Sequence, residues 1–383
     1  MTSTHGRSPR SLVSRLLMLA LAAVLAGCAT RPGAEMLTPV ASDVPDAKLV
    51  TVYAATTRER ERDGVNVFTT GRAQDLNYGM FTISVPPNHQ PGQIEWPEGQ
   101  PDPGSSFATV SQSVLNEKTF TDRIATTSTG EHKRDVGIFV HGYNYNFQEA
   151  LFRLAQMSAD ANLDGAPILF AWPSQAAVAG YVADKDSVTY SRDYLADMLT
   201  ALAKDRRIGN ITLFGHSMGA WLTVEALRQL RLTGQDAVID RLNVVLAAPD
   251  IDVDVFRAQM EVLGPLSPPL TVLVSTDDRA LAVSNRLSGA RPRLGALDIT
   301  DPRVQGAARE ANVTIVDISS VEASDGLNHD RYISLATFYP ELAETDPDGA
   351  GQSLRRAGAF VFNAVGATIS SPFNIVGEAL AGE

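Results

Sequence analysis

From about residue 135 onward the chain alternates short apolar runs with longer stretches of helical spacing. The runs at 136–140, 167–171, 211–214, 242–247, 270–275 and 313–318 are mostly apolar, as strands covered on both faces must be. Between them lie helical patterns around 147–157 and 191–203 and from Ala220 onward. This rhythm predicts the α/β class: a mainly parallel central sheet, helices on both faces, right-handed crossovers. Two earlier β-type runs, 49–56 and 79–85, are expected to add an antiparallel N-terminal edge. Residues 88–106 are rich in proline and glycine and read as a loop excursion. The connection 172–190 reads as an unusually long loop at the sheet edge, placed to line or cover an acyl pocket.

The run at 211–214 ends in Gly215-His216-Ser217-Met218-Gly219. Between a strand and a helix, Gly-x-Ser-x-Gly is a nucleophile elbow, a sharp turn that lifts one serine hydroxyl clear of the sheet. Glycine is needed on either side because a Cβ there would meet the adjoining strand or helix. The helix N-terminus aims N–H groups and the positive end of its dipole at charge developing above Ser217. A serine hydroxyl needs a base, most often imidazole. Of the six histidines (His5, His89, His132, His141, His216, His329), only His329 follows Ser217 in the chain, as this arrangement requires.

The acid is expected after the second strand beyond the elbow, which selects Asp277 or Asp278. Asp278 is favoured because Asp277 is placed to cap a helix over 279–287; Asp250, Asp252, Asp317 and Asp325 are alternatives. The oxyanion donors are expected to be the backbone N–H groups of Met218 and of Tyr143 in His141-Gly142-Tyr143-Asn144, with the Asn144 side chain as another choice. No Cys/His cluster calls for a metal, and no organic cofactor is implied.

Composition adds a cellular address. Arg7, Arg10 and Arg15 precede an apolar run at 16–24, with no acid before Glu35, which reads as an export leader too short to span a bilayer permanently. It ends in Leu25-Ala26-Gly27-Cys28, which resembles a bacterial lipobox. Cys28 is the chain's single cysteine, and acylation accounts for an unpaired thiol in an exported protein. By the same resemblance, Ala29 after the cysteine favours the outer membrane, facing the periplasm. The expected organisation is a leader at 1–27, a flexible tether at 28–47, a catalytic domain at 48–343 and an apolar extension at 344–383. A net charge of −12 opposes polyanions, so the expected partners are an acyl substrate and a membrane reached through the anchor, not nucleic acid.

Taken together, Val52-Tyr53-Ala54-Ala55-Thr56-Thr57-Arg58, Val140-His141-Gly142-Tyr143-Asn144, Ala171-Trp172-Pro173-Ser174, the elbow, Ala248-Pro249-Asp250-Ile251-Asp252 and Asp278-Arg279-Ala280-Leu281 resemble a bacterial family of α/β-hydrolases assigned chiefly as esterases or lipases, with no settled substrate. The resemblance covers roughly residues 50–335. It implies the α/β-hydrolase fold, Asp278 at the acid position and His329 as the terminal histidine. The expected activity is cleavage of carboxylic esters through an acyl-enzyme. Acyltransferase and thioesterase chemistry on the same triad, or a non-catalytic binding lipoprotein, are the alternatives.

Overall fold

The computed structural model describes residues 31–41, 44–126, 135–162, 165–337 and 374–376. The leader, Cys28 and all but three residues of the 344–383 extension lie outside them. Among the described residues ten strands form one sheet: β1 (Lys48–Arg60), β2 (Phe68–Val85), β3 (Ala108–Leu115), β4 (Val136–Val140), β5 (Ala166–Ala171), β6 (Ile211–His216), β7 (Leu242–Ala247), β8 (Leu270–Val274), β9 (Val313–Asp317) and β10 (Asn374–Val376). Their order is β3-β2-β1-β5-β4-β6-β7-β8-β9-β10. From β1 to β9 through β5, β4, β6, β7 and β8 every pairing is parallel, while β1–β2, β2–β3 and β9–β10 are antiparallel. The mainly parallel sheet is as expected. The antiparallel edge begins at the β1–β2 pairing, because β1 itself runs parallel to β5, with Tyr53 opposite Ile168.

The helices are α1 (Glu117–Thr126), α2 (Phe147–Asp160), α3 (Tyr181–Lys204), α4 (Met218–Leu232), α5 (Asp236–Ile239), α6 (Val253–Leu263), α7 (Arg279–Leu287), α8 (Pro302–Glu310) and α9 (Arg331–Thr337). Side chains of the central strands alternate between two cores, one on each face. Ile138, Leu213, Val244 and Val272 enter the core that includes residues of α3, α4 and α6. Their neighbours Phe139, Phe214, Val245 and Leu273 enter the other, with residues of α2 and α9. In that second core the Phe139 ring lies 6.0 Å from Phe214 and 6.4 Å from Tyr332.

Two segments depart from the sequence reading. Residues 31–41, expected within a flexible tether, pack on the body, because Met36 and Leu37 are apolar and find a place in the second core. Their carbonyls accept from Thr109 Oγ1 at 2.7 Å and Gln112 Nε2 at 2.9 Å. The expected long loop 172–190 is instead a short connection followed by helix, since α3 starts at Tyr181. The signal was weak for physical reasons. Gly180 caps the helix with no side-chain hydrogen bond, and the inward face of the early turns carries Asp184, Ser187 and Ser191. These buried polar groups are satisfied: Asp184 accepts from Ser174 Oγ at 2.6 Å and Gln175 N–H at 2.7 Å, and Ser191 meets Thr57 at 2.7 Å.

Phe139 is fully buried at the sheet's centre. Phe139→Ala should therefore cost about 3–5 kcal/mol of stability, read as a lower urea midpoint with the slope unchanged.

Candidate active site

Ser217 sits between β6 and α4 with φ 54 and ψ −119, a left-handed conformation that costs a non-glycine residue roughly 1–3 kcal/mol. Three backbone hydrogen bonds hold it there. Its N–H donates to Ala247 O at 2.9 Å, and its carbonyl accepts from Ala220 N–H at 3.1 Å and Asp250 N–H at 3.2 Å. The flanking glycines are where close approach demands them. A Cβ on Gly219 would stand 2.3 Å from the carbonyl oxygens of both Val140 and His141, and one on Gly215 would stand 2.7 Å from Ala220 Cα.

His329 lies in the loop between β9 and α9, its Nδ1 2.6 Å from Asp278 Oδ2. Its ring centroid is 4.8 Å from that of His216, the residue next to Ser217. Burial alone would lower the His329 pKa, but the hydrogen bond and charge of Asp278, helped by Asp250 and Asp325, outweigh it and raise it above its ordinary value. The loop is closed from below: Asp325 Oδ1 accepts the His329 N–H at 2.9 Å, and Asp330 accepts from the backbone N–H groups of Ser324 and Asp325.

The helix-capping role falls to Asp278 rather than to Asp277. Asp278 Oδ1 accepts from Leu281 N–H at 2.8 Å while Oδ2 faces the imidazole, so one buried carboxylate does both. Asp277 accepts from Ser275 Oγ at 2.7 Å, Asn328 Nδ2 at 2.8 Å and Arg331 Nη2 at 2.7 Å, fastening the His329 loop. The other acid candidates also have separate tasks. Asp252 caps α6, Asp317 accepts from Ser319 N–H, and Asp325 holds the His329 backbone.

The β4–α2 loop lies against the elbow. A Cβ on Gly142 would be 3.0 Å from Ser217 Cβ and 2.8 Å from His216 Nδ1, so Tyr143 follows directly on that contact. Asn144 is turned elsewhere, its Oδ1 accepting from Arg31. His141 stacks on Trp172 with ring centroids 4.9 Å apart, and burial, then the Arg58 charge, push it down to about 3. His216 is likewise buried, against Tyr332, and is held well below its usual range by burial and by the neighbouring His329.

One cluster was not anticipated. Asp250 accepts from Tyr181 Oη at 2.8 Å and Ser284 Oγ at 2.5 Å, and lies 3.3 Å from Arg293 Nε, with Asp250 and Arg293 both buried. It ties α3, α7 and the β7–α6 loop together beside Ser217. Tyr181, Asp250 and Ser284 lie 34 to 103 residues apart, so no local motif announces the cluster. Among the described residues no group of three or more His, Cys, Asp or Glu side chains could hold a metal ion.

The paired geometry sets a titration. In the wild type the His329 ring should titrate above ~6.5 by NMR, and in Asp278→Asn, where the largest offset to burial is removed, it should titrate lower than in the wild type. Because the folded-state value is raised, the pair's contribution to stability is full below pH ~6.5 and is lost as pH rises through the folded-state value.

Among known proteins, the family described as alpha/beta hydrolase of unknown function (DUF900) matches residues 116–345. No curated protein matches. Among solved structures, a crystal structure from Agrobacterium vitis S4, whose protein carries a provisional hydrolase assignment, is similar at 14% identity over 66% of this chain and 99% of that one. Its TM-score of 0.29 is too low for any residue to be carried across. The family match spans more than half of the chain and includes the β4–α2 loop, the elbow, Asp278 and His329; the chain belongs to this family of alpha/beta hydrolases and has their fold.

Proposed function

We propose that this chain is a serine hydrolase cleaving carboxylic esters, held to the periplasmic side of an outer membrane by an acylated Cys28. The observation that carries the reading is the 2.6 Å His329–Asp278 hydrogen bond, with the His329 ring 4.8 Å from that of His216, the neighbour of a serine held at positive φ. A carboxylate on Nδ1 fixes the tautomer, leaving Nε2 as the basic nitrogen.

In the proposed cycle Ser217 Oγ attacks the ester carbonyl while His329 Nε2 takes its proton. The carbonyl oxygen becomes an oxyanion that accepts hydrogen bonds from the Met218 and Tyr143 N–H groups at the mouth of α4. As the intermediate collapses, the C–O bond to the alcohol breaks and His329 returns the proton to that oxygen. Water then repeats the sequence: His329 takes its proton, the acyl–Ser217 bond breaks, and carboxylic acid leaves with Ser217 restored. Asp278 stabilises the imidazolium in both halves without taking the proton.

A fluorophosphonate probe tests this directly: it should label the wild type and leave Ser217→Ala unlabelled, and equal labelling of both would end the proposal. Hydrolysis of p-nitrophenyl esters should rise with pH through the His329 titration, since only the neutral ring is a base. In Asp278→Asn that limb should move to lower pH while kcat falls by up to ~10⁴-fold.

A further inference from the structure

Residues 176–183, Ala-Ala-Val-Ala-Gly-Tyr-Val-Ala, carry no charge in a chain where 20% of residues are charged. Val178 and Val182 are 81% and 74% exposed, the two most exposed large hydrophobics among the described residues. This tip joins β5 to α3, and two routes of direct contact run from it to the elbow. Tyr143 Oη donates to Ala177 O at 3.2 Å and to Val178 O, and the preceding Gly142 lies against Ser217. The Tyr181 ring packs 5.4 Å from that of Tyr143, while its hydroxyl holds Asp250, whose N–H donates to Ser217 O.

The N-terminal segment arrives at the same tip. Arg31 donates to Ala176 O, to Asn144 Oδ1 at 3.1 Å and Asn144 O at 2.5 Å, and to Glu149 at 2.9 Å. Ala176 and Asn144 both have positive φ, and each turns a carbonyl to the guanidinium. Cys28 lies three residues upstream of Arg31, and three residues of chain reach at most roughly 11 Å. An acyl group on Cys28 would therefore enter its bilayer beside the tip and beside the loop that touches the nucleophile.

We infer that the uncharged tip rests on the leaflet that holds the Cys28 anchor, so that the Ser217 site opens onto lipid and its substrate is an ester-bearing lipid of that leaflet. This rests on the serine-hydrolase reading above and on acylation of Cys28. An acidic globule gains nothing from anionic headgroups, so apolar contact and the anchor together supply the two attachments that stable membrane seating needs. Tyr143 and Tyr181 are partly buried, pack against the core and brace the tip through their hydrogen bonds.

The test uses full-length protein purified from membranes and reconstituted into phosphatidylethanolamine–phosphatidylglycerol vesicles doped with a fluorogenic acyl-ester lipid, with p-nitrophenyl acetate as the water-soluble comparison. V178D/V182D should lose about tenfold or more on the vesicle ester while staying within about twofold of wild type on the soluble one. An environment-sensitive fluorophore on Val178→Cys should shift to the blue on these vesicles. A V178D/V182D variant that keeps its vesicle-ester rate or loses both esters equally, a fluorophore that keeps its water emission, or an unmodified Cys28 by mass spectrometry would each overturn the inference. Wild type that hydrolyses neither ester while the fluorophore still shifts would end the hydrolase reading and leave the seating of the tip supported.

Discussion

The backbone at Ser217 is held in a conformation its own chemistry disfavours, and much of the surrounding structure serves to hold it there. The β7 strand supplies a carbonyl to its N–H, and the residue that follows the β7 turn returns an N–H to its carbonyl. Those bonds exist only because β6 and β7 run parallel and in register, Gly215 opposite Leu246 and His216 opposite Ala247. The register in turn follows from central strands that are apolar on both faces, since a one-residue slip would exchange the two cores. The strain at one residue is thus balanced by the packing of the whole sheet rather than by any single neighbour.

Asp278 shows how much one carboxylate can hold at once. One oxygen closes the first turn of α7, the other faces the imidazole, and the side chain is buried. A helix N-terminus carries the positive end of its dipole, which complements a negative charge placed there. With the charge fixed there, the His329 ring is biased towards accepting a proton despite its burial. The Asp250 network adds a second carboxylate, compensated by Arg293 and two hydroxyls, so the field at His329 comes from more than its immediate partner.

The elements were legible in the sequence wherever burial was apolar. The strands β4 to β9 stand within a residue or two of the runs that predict them, because strands covered on both faces admit few polar residues. The early turns of α3 were opaque because Asp184, Ser187 and Ser191 face inward and Gly180 offers no cap, which removes both the periodicity and the start signal. Met36 and Leu37 are two apolar residues in a polar stretch, too few to mark an element, yet enough to seat the segment. At the candidate site, motif and chain order pick out Ser217 and His329. They do not settle the division of labour between Asp277 and Asp278, since either spacing permits a cap, and only the fold reveals that one carboxylate can cap and face the ring at once. The Asp250 cluster was beyond reach for a simpler reason: its partners are adjacent only after folding.

Asp277 and Asp278 are consecutive, and they grip the same loop at two places, one through Arg331 and Asn328, the other through the His329 ring. Two attachments therefore join the β8 terminus and the histidine loop into one unit. A disturbance that tilts this unit leaves the imidazole and its carboxylate in step with each other while carrying both away from the β6 corner. The alignment with Ser217 then rests on the contacts that reach across to the β6 corner, the His329 ring against that of His216 among them.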